Sequence, residues 1–137
     1  MVKIVLDTNV VISGIIADGL SANVLEESIN SDRLTPVVSP DLLTEYRQKC
    51  NQIEAISVKA RYATIQALKK NGEIVYPEEN LKIVEDDPDD DKLFEVAIEA
   101  DAKYIISGDK QHVLPVGKFE EKEVITPRQA SEKLQTD

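Results

Sequence analysis

Four carboxylates, Asp7, Glu45, Asp91 and Asp109, stand where they could share one task. Asp7 follows Val5-Leu6 and Asp109 follows Ile105-Ile106-Ser107-Gly108, so two acids lie just past the carboxyl ends of apolar runs. Open parallel sheets place their sites at that edge. Asp91 precedes Phe94 and Ile98 at helical spacing and extends an apolar stripe with an acid. Glu45 lies beside Tyr46 and one turn after Leu42, at the border of another helix's apolar face. Several like charges drawn inward are too costly to desolvate together and would become neutral unless a cation joined them. The ligands on offer are all oxygen, with no Cys/His cluster to suggest zinc, so the fitting ion is hard: Mg²⁺ or Mn²⁺. Such an ion assists the attack of water on a phosphodiester. Taken singly, the acids have plainer readings: Asp91 as a favourable charge at a helix N-terminus, Asp109 as a turn residue after Gly108, Glu45 as part of a solvated face.

The elements that must position these acids follow from pattern and punctuation. Val2–Leu6 reads as a strand covered on both faces. A helix is expected from a Ser21 cap, with Val24, Leu25 and Ile29 as its apolar face, and then a strand over Arg33–Val38. Ser39-Pro40 opens a helix whose buried stripe is Leu42, Leu43 and Tyr46; Ser57 opens another, closed by Asn71-Gly72. Glu73–Tyr76 is a short strand. Asp87-Pro88 repeats the cap-plus-proline signal before a helix with Phe94, Ala97, Ile98 and Asp101 on one side. Lys103–Ser107 and Val124–Ile125 are strands, and a Pro127-led helix ends the chain. Strands alternating with helices, without a hairpin signal, predict a three-layer α/β domain with a mainly parallel sheet, one domain over residues 1–137.

Composition bounds the partners. At 42% hydrophobic and 31% charged residues the chain is of ordinary globular make-up, with a core of useful size. The single cysteine, Cys50, excludes a disulfide scaffold and makes a cytoplasmic setting the simplest expectation. Asp7 interrupts the first apolar run before it reaches a membrane span, and no signal peptide or membrane role is expected. A net charge of −10 has the wrong sign for a protein that binds nucleic acid by a general positive field. Residues 71–102 hold twelve acids against Lys82 and Lys92, whereas residues 41–70 carry six basic side chains against three acids. The surface is therefore expected to be polarised.

Ile4-Val5-Leu6-Asp7-Thr8-Asn9-Val10, the isolated Glu45, and Asp91 leading to Tyr104-Ile105-Ile106-Ser107-Gly108-Asp109 together resemble the PIN-domain nucleases over nearly the whole chain. Asp87-Pro88-Asp89-Asp90-Asp91 and Val124-Ile125-Thr126-Pro127 are similar to the subgroup of toxin components of prokaryotic toxin–antitoxin systems. The resemblance implies a Rossmann-like α/β/α fold and metal-dependent endonucleolytic cleavage of RNA that leaves a 5′-phosphate and a 3′-hydroxyl. It makes Asp7, Glu45, Asp91 and Asp109 the Mg²⁺- or Mn²⁺-binding set. Asn9 would orient Asp7, and Ser107, where the family more often has threonine, would hydrogen-bond near the metal or phosphate. Asp90 is the alternative ligand to Asp91 if the helix begins later, with Asp87 as cap. An antitoxin protein that occupies the site and a homodimer are the partners it implies besides RNA.

The sequence departs from easy RNA binding in its acidity and its six aromatic residues. Grip would rest on phosphates, with Arg47, Lys49, Lys59 and Arg61 the basic candidates and solvated helix faces their plainer reading. His112 reads as a loop residue, Cys50 as packing, and Gly14 and Gly19 as a flexible turn. Two alternatives stand beside the nuclease. A haloacid-dehalogenase-like phosphatase also uses an aspartate after the first strand, but wants an acid where this chain has Asn9. A non-catalytic PIN-like RNA- or protein-binding module would keep the acids without using them.

Overall fold

The strands carry their β-branched and apolar residues inward from both faces, and that is what a parallel sheet sandwiched between helices requires. In the computed structural model, which describes residues 2–78, 91–110 and 113–134, the elements run β1 (Val2–Leu6), α1 (Thr8–Ile16), α2 (Leu20–Asn30), β2 (Leu34–Val38), α3 (Pro40–Asn51), α4 (Val58–Asn71), β3 (Glu73–Ile74), α5 (Asp91–Ala100), β4 (Tyr104–Ile106), β5 (Lys118–Phe119), β6 (Lys122–Ile125) and α6 (Pro127–Leu134). The sheet order is β3-β2-β1-β4-β6-β5, parallel throughout except for the β5–β6 edge. From β1 the chain steps outward through β2 to β3 and then returns to place β4 on β1's other flank. Right-handed crossovers put the helices of the two directions on opposite faces. α2 and α4 pack on β2, while α5 spans β1, β2 and β4. Ile4, Val5, Leu6, Ile105 and Ile106 are almost wholly buried at the centre. The expected α/β/α architecture with a mainly parallel sheet is what is observed.

The helix caps follow the sequence closely. Ser39 Oγ accepts from the Leu42 amide at 3.0 Å and Ser57 Oγ from the Ala60 amide at 3.0 Å, with Pro40 in the first turn of α3. Elsewhere the structure departs from the expected pattern. The segment after Asp7, to which the sequence pattern assigns no element, is helix α1, and Gly14 within it is a crossing point, not a flexible turn: a Cβ there would meet the Leu25 side chain at 2.9 Å and the Ser21 carbonyl at 3.0 Å. α2 begins one residue before Ser21, capped by Gly19 at φ +148°, a conformation open to glycine.

Asp101 does not share the buried side of α5. It follows the helix at φ +54°, the left-handed residue of a Schellman ending in which Ala102 N–H reaches Ala97 O at 2.8 Å and Asp101 N–H reaches Ile98 O at 3.2 Å. The β5–β6 hairpin was absent from the pattern because its two-residue turn is Glu120-Glu121, both at positive φ, where Asn-Gly is the usual signal. Asp87, Asp89, Asp90 and His112 lie outside the described residues. Among the described residues no single helix is long and apolar enough to cross a membrane.

Candidate active site

β1 and β4 are neighbours at which the chain's direction of travel across the sheet reverses, so their carboxyl ends open a crevice. Asp7 ends β1. Its amide donates to Ile106 O at 2.9 Å, which carries the β1–β4 ladder one residue past the strand and fixes the backbone from which the carboxylate projects. Asp7 also occupies the N-cap position of α1, yet its side chain makes no capping bond. Instead Oδ2 accepts from the buried Ser107 hydroxyl at 2.6 Å. That hydroxyl in turn accepts from the Asp109 amide at 3.0 Å, so one serine sets both the Asp7 carboxylate and the turn that bears Asp109.

Asn9 reaches across as well, but to a different atom from the one expected. Its Oδ1 accepts from the Gly108 amide at 3.3 Å, so it ties the start of α1 to the β4 turn. Glu45 arrives from α3, its side chain 16% exposed, with Oε2 accepting from the Thr8 hydroxyl at 2.5 Å and Oε1 lying 3.9 Å from Lys92 Nζ. Beside it, fully buried Tyr46 donates its hydroxyl to Leu6 O at 2.5 Å and so pins α3 to the last residue of β1. Thr8, Tyr46 and Lys92 are the site residues that sequence reasoning did not single out as functional. Each is adjacent in sequence to a selected acid, and that adjacency is the available signal.

The electrostatics follow from this packing. Burial pushes the Asp7 carboxyl above its ordinary value of 3.8; the Ser107 hydroxyl and the Thr8 amide oppose that, and the Glu45 and Asp109 carboxylates reinforce it. Burial, with Asp7 and Glu45 nearby, also drives the Tyr46 hydroxyl well above 10, so it stays a donor. Glu45 and Asp109 thus act on Asp7 as like charges. Asp91 is buried at the first position of α5, and its neighbour Lys92 is the link from that helix to Glu45.

The donor chemistry fits a hard divalent ion: only oxygens, one of them on a buried carboxylate whose charge is poorly compensated. As they stand, the acids are held on protein donors, Asp7 on Ser107 and Glu45 on Thr8 and Lys92. Among the described residues no three acidic, histidine or cysteine side chains are gathered closely enough to hold an ion.

The basic candidates lie elsewhere. Arg47, Lys59 and Arg61 line a groove of about 650 Å³ between α3 and α4, together with Tyr62. Residues two apart on a helix do not face the same way, so Arg47 looks away from the side of α3 that carries Glu45. Lys49 is exposed near the end of α3, and Arg61 is bonded to Asn51 Oδ1 at 2.6 Å. Cys50 packs in the last turn of α3, its thiol pushed up by burial.

A mainly parallel sheet with paired carboxylates at its reversal point defines an α/β domain whose chemistry is acidic. A family described as the PIN domain matches residues 3–111, and the chain belongs to that family. Among solved structures the chain is similar to VapBC2 from Rickettsia felis bound to a DNA fragment from their promoter, at a TM-score of 0.61 and 13% identity, over 90% of this chain and 98% of that one. No curated protein matches the chain's sequence.

Proposed function

We propose that the chain is a Mg²⁺- or Mn²⁺-dependent endoribonuclease and the toxin of a toxin–antitoxin pair. The observation that carries this reading is the buried Asp7 carboxylate, destabilised in its charged form by burial and by Glu45 and Asp109 at the carboxyl edge of the sheet. A fold does not hold like charges in such company for stability alone. Membership of the PIN family, whose members are generally ribonucleases and typically use divalent metals, supports the same reading. The toxin assignment draws on the likeness to VapBC2, and an antitoxin that covers the acids, with a homodimer of this chain, belongs to the same proposal.

Asp7, Glu45, Asp91 and Asp109 would hold the ion, which when bound lowers the pKa of water and offsets charge on the phosphoryl oxygens. The remaining residues do the positioning. Ser107 locks one Asp7 oxygen and leaves the other free of that bond, and Thr8 orients Glu45 from the first position of α1. Asn9 holds the Gly108 amide and with it the turn that presents Asp109. Tyr46 fixes the distance between α3 and β1 by its bond to Leu6 O. Lys92 screens Glu45 at the rim, which lessens repulsion of an incoming phosphate.

One observation favours a second reading, a non-catalytic module that binds RNA or protein: Glu45 is already engaged by Thr8 and Lys92. Purified protein incubated with Mn²⁺ and generic single-stranded RNA separates the two. The nuclease reading expects cleavage by the wild type and a loss in Asp7→Asn beyond the roughly 10–100-fold that removal of an outer partner costs. Equal cleavage by both proteins, or none by either, would refute it.

A further inference from the structure

A phosphodiester attacked at the acids belongs to a strand that must leave the site on some path, and the acidic surface offers few. One cleft begins at the site itself. It has a volume of about 500 Å³ and is lined by Gly108, between Ser107 and Asp109, and by Ser13, Ser21, Lys110, Thr126 and Arg128. Its single acid is Asp18. Lys110 follows Asp109 directly and Arg128 lies in the first turn of α6; both are exposed, and neither has a hydrogen bond or ion pair with a described residue. Elsewhere on the sheet's rim three lysines are spent on acids: Lys3 on Glu73 at 3.2 Å, Lys122 on Asp101 at 2.8 Å, Lys133 on Glu123 at 3.6 Å. Two uncommitted cations at a cleft that opens at the turn bearing Asp109 are the arrangement a polyanion's backbone would engage.

We infer that this cleft, between the start of α2, the turn after β4 and the start of α6, holds the phosphates of single-stranded RNA next to the one being cleaved, with Lys110 and Arg128 as the contacts. The inference rests on the ribonuclease reading and specifies the strand's path across it. Ser13 lies one turn beyond Asn9 on α1, so the Asn9–Gly108 bond forms the ridge over which the backbone passes from the acids to the cations. The lining contains no aromatic ring, so no base is stacked there and the grip is indifferent to sequence. The α3–α4 groove, though richer in cations and carrying exposed Tyr62, opens away from Glu45 and does not receive this part of the strand.

The test compares wild type, Lys110→Gln/Arg128→Gln and Arg47→Gln/Lys59→Gln on one RNA oligomer. Binding is followed in EDTA across a salt series, and KM and kcat are measured with Mn²⁺. The cleft variant is expected to bind more weakly on every sequence tried, with a salt slope shallower by about 0.7 for each of two lost phosphate contacts. Its KM should rise while kcat holds, the signature of lost uniform binding. The groove variant should match the wild type. Unchanged binding and KM in the cleft variant, with Mn²⁺-dependent cleavage intact, overturn the path and leave the ribonuclease reading standing. A shallower slope in the groove variant alone overturns it in favour of α3–α4. A wild type that neither binds nor cuts RNA removes the ribonuclease reading, and the path with it.

Discussion

The two ends of the same strands treat charge in opposite ways. At the amino ends two acids meet lysines. Asp101 bonds Lys122 Nζ at 2.8 Å, and Glu73 lies 3.2 Å from Lys3, whose ammonium also donates to Ala100 O at 3.2 Å. At the carboxyl ends Asp7 meets Glu45 and Asp109, and its direct side-chain partner is a hydroxyl. The shifts run accordingly: the bond and charge of Lys122 hold Asp101 below its usual value, while burial holds Asp7 above it. Acids of one chain, a strand's length apart, thus serve as ties at one edge, while at the other Asp7 is held in like company and destabilised in its charged form. Paired charges hold a fold together; charges in like company mark a place where a cation is wanted.

The comparison is sharpened most by removing the hydroxyl that organises the acidic edge. Ser107→Ala frees the Asp7 carboxylate and strips the Asp109 amide of its acceptor. RNA cleavage is expected to fall about 10–100-fold, as for other partners that orient a metal ligand. Ser107→Thr, which keeps the hydroxyl, should retain most of it. Steady-state cleavage rates with Mn²⁺ check this, and full activity in Ser107→Ala would mean that the acids need no such orientation.

A smaller effect, of opposite sign at the two edges, is expected in stability without metal. Asp7 has a raised folded pKa, so its favourable contribution is present below the ordinary value of 3.8 and is lost as pH rises through the raised one. Asp7→Asn should therefore melt higher than wild type at neutral pH, and the gap should close in acid. Asp101 has a lowered pKa, so its contribution is present above 3.8 and is lost as pH falls through the lowered value. Asp101→Asn should melt lower than wild type at neutral pH, and that gap should also close in acid. Thermal melts in EDTA from pH 3 to 8 read both, and a wild type more stable than Asp7→Asn at neutral pH would erase the contrast.

Much of this was legible in the residues because the relevant physics is local. Strand β1, the serine caps of α3 and α4, and the alternation of strand and helix follow from neighbours within a few positions. The acids stood out because burial and charge conflict within single short motifs. What stayed hidden depends on distant partners or on unusual residues in familiar geometry. α1 was masked because Asp7 takes the cap position while its side chain serves Ser107, one hundred residues away. The β5–β6 turn was masked because glutamates occupy positive φ, and Asp101 because an aspartate does the work of a terminal glycine. The basic side chains of α3 stand out in the sequence by charge alone, and helix phase turns Arg47 away from Glu45.

The account's central claim is that the acidic edge is completed by a hard divalent cation. Titration of Mn²⁺ into the metal-free protein, followed by thermal melting, tests it most directly. A bound ion stabilises the wild type by an amount that reaches about 2.7 kcal/mol at one hundred times its dissociation constant. The wild-type midpoint should rise saturably with Mn²⁺ and overtake that of Asp7→Asn, which should stay nearly flat. A wild type indifferent to Mn²⁺, or an equal rise in both proteins, would contradict the claim.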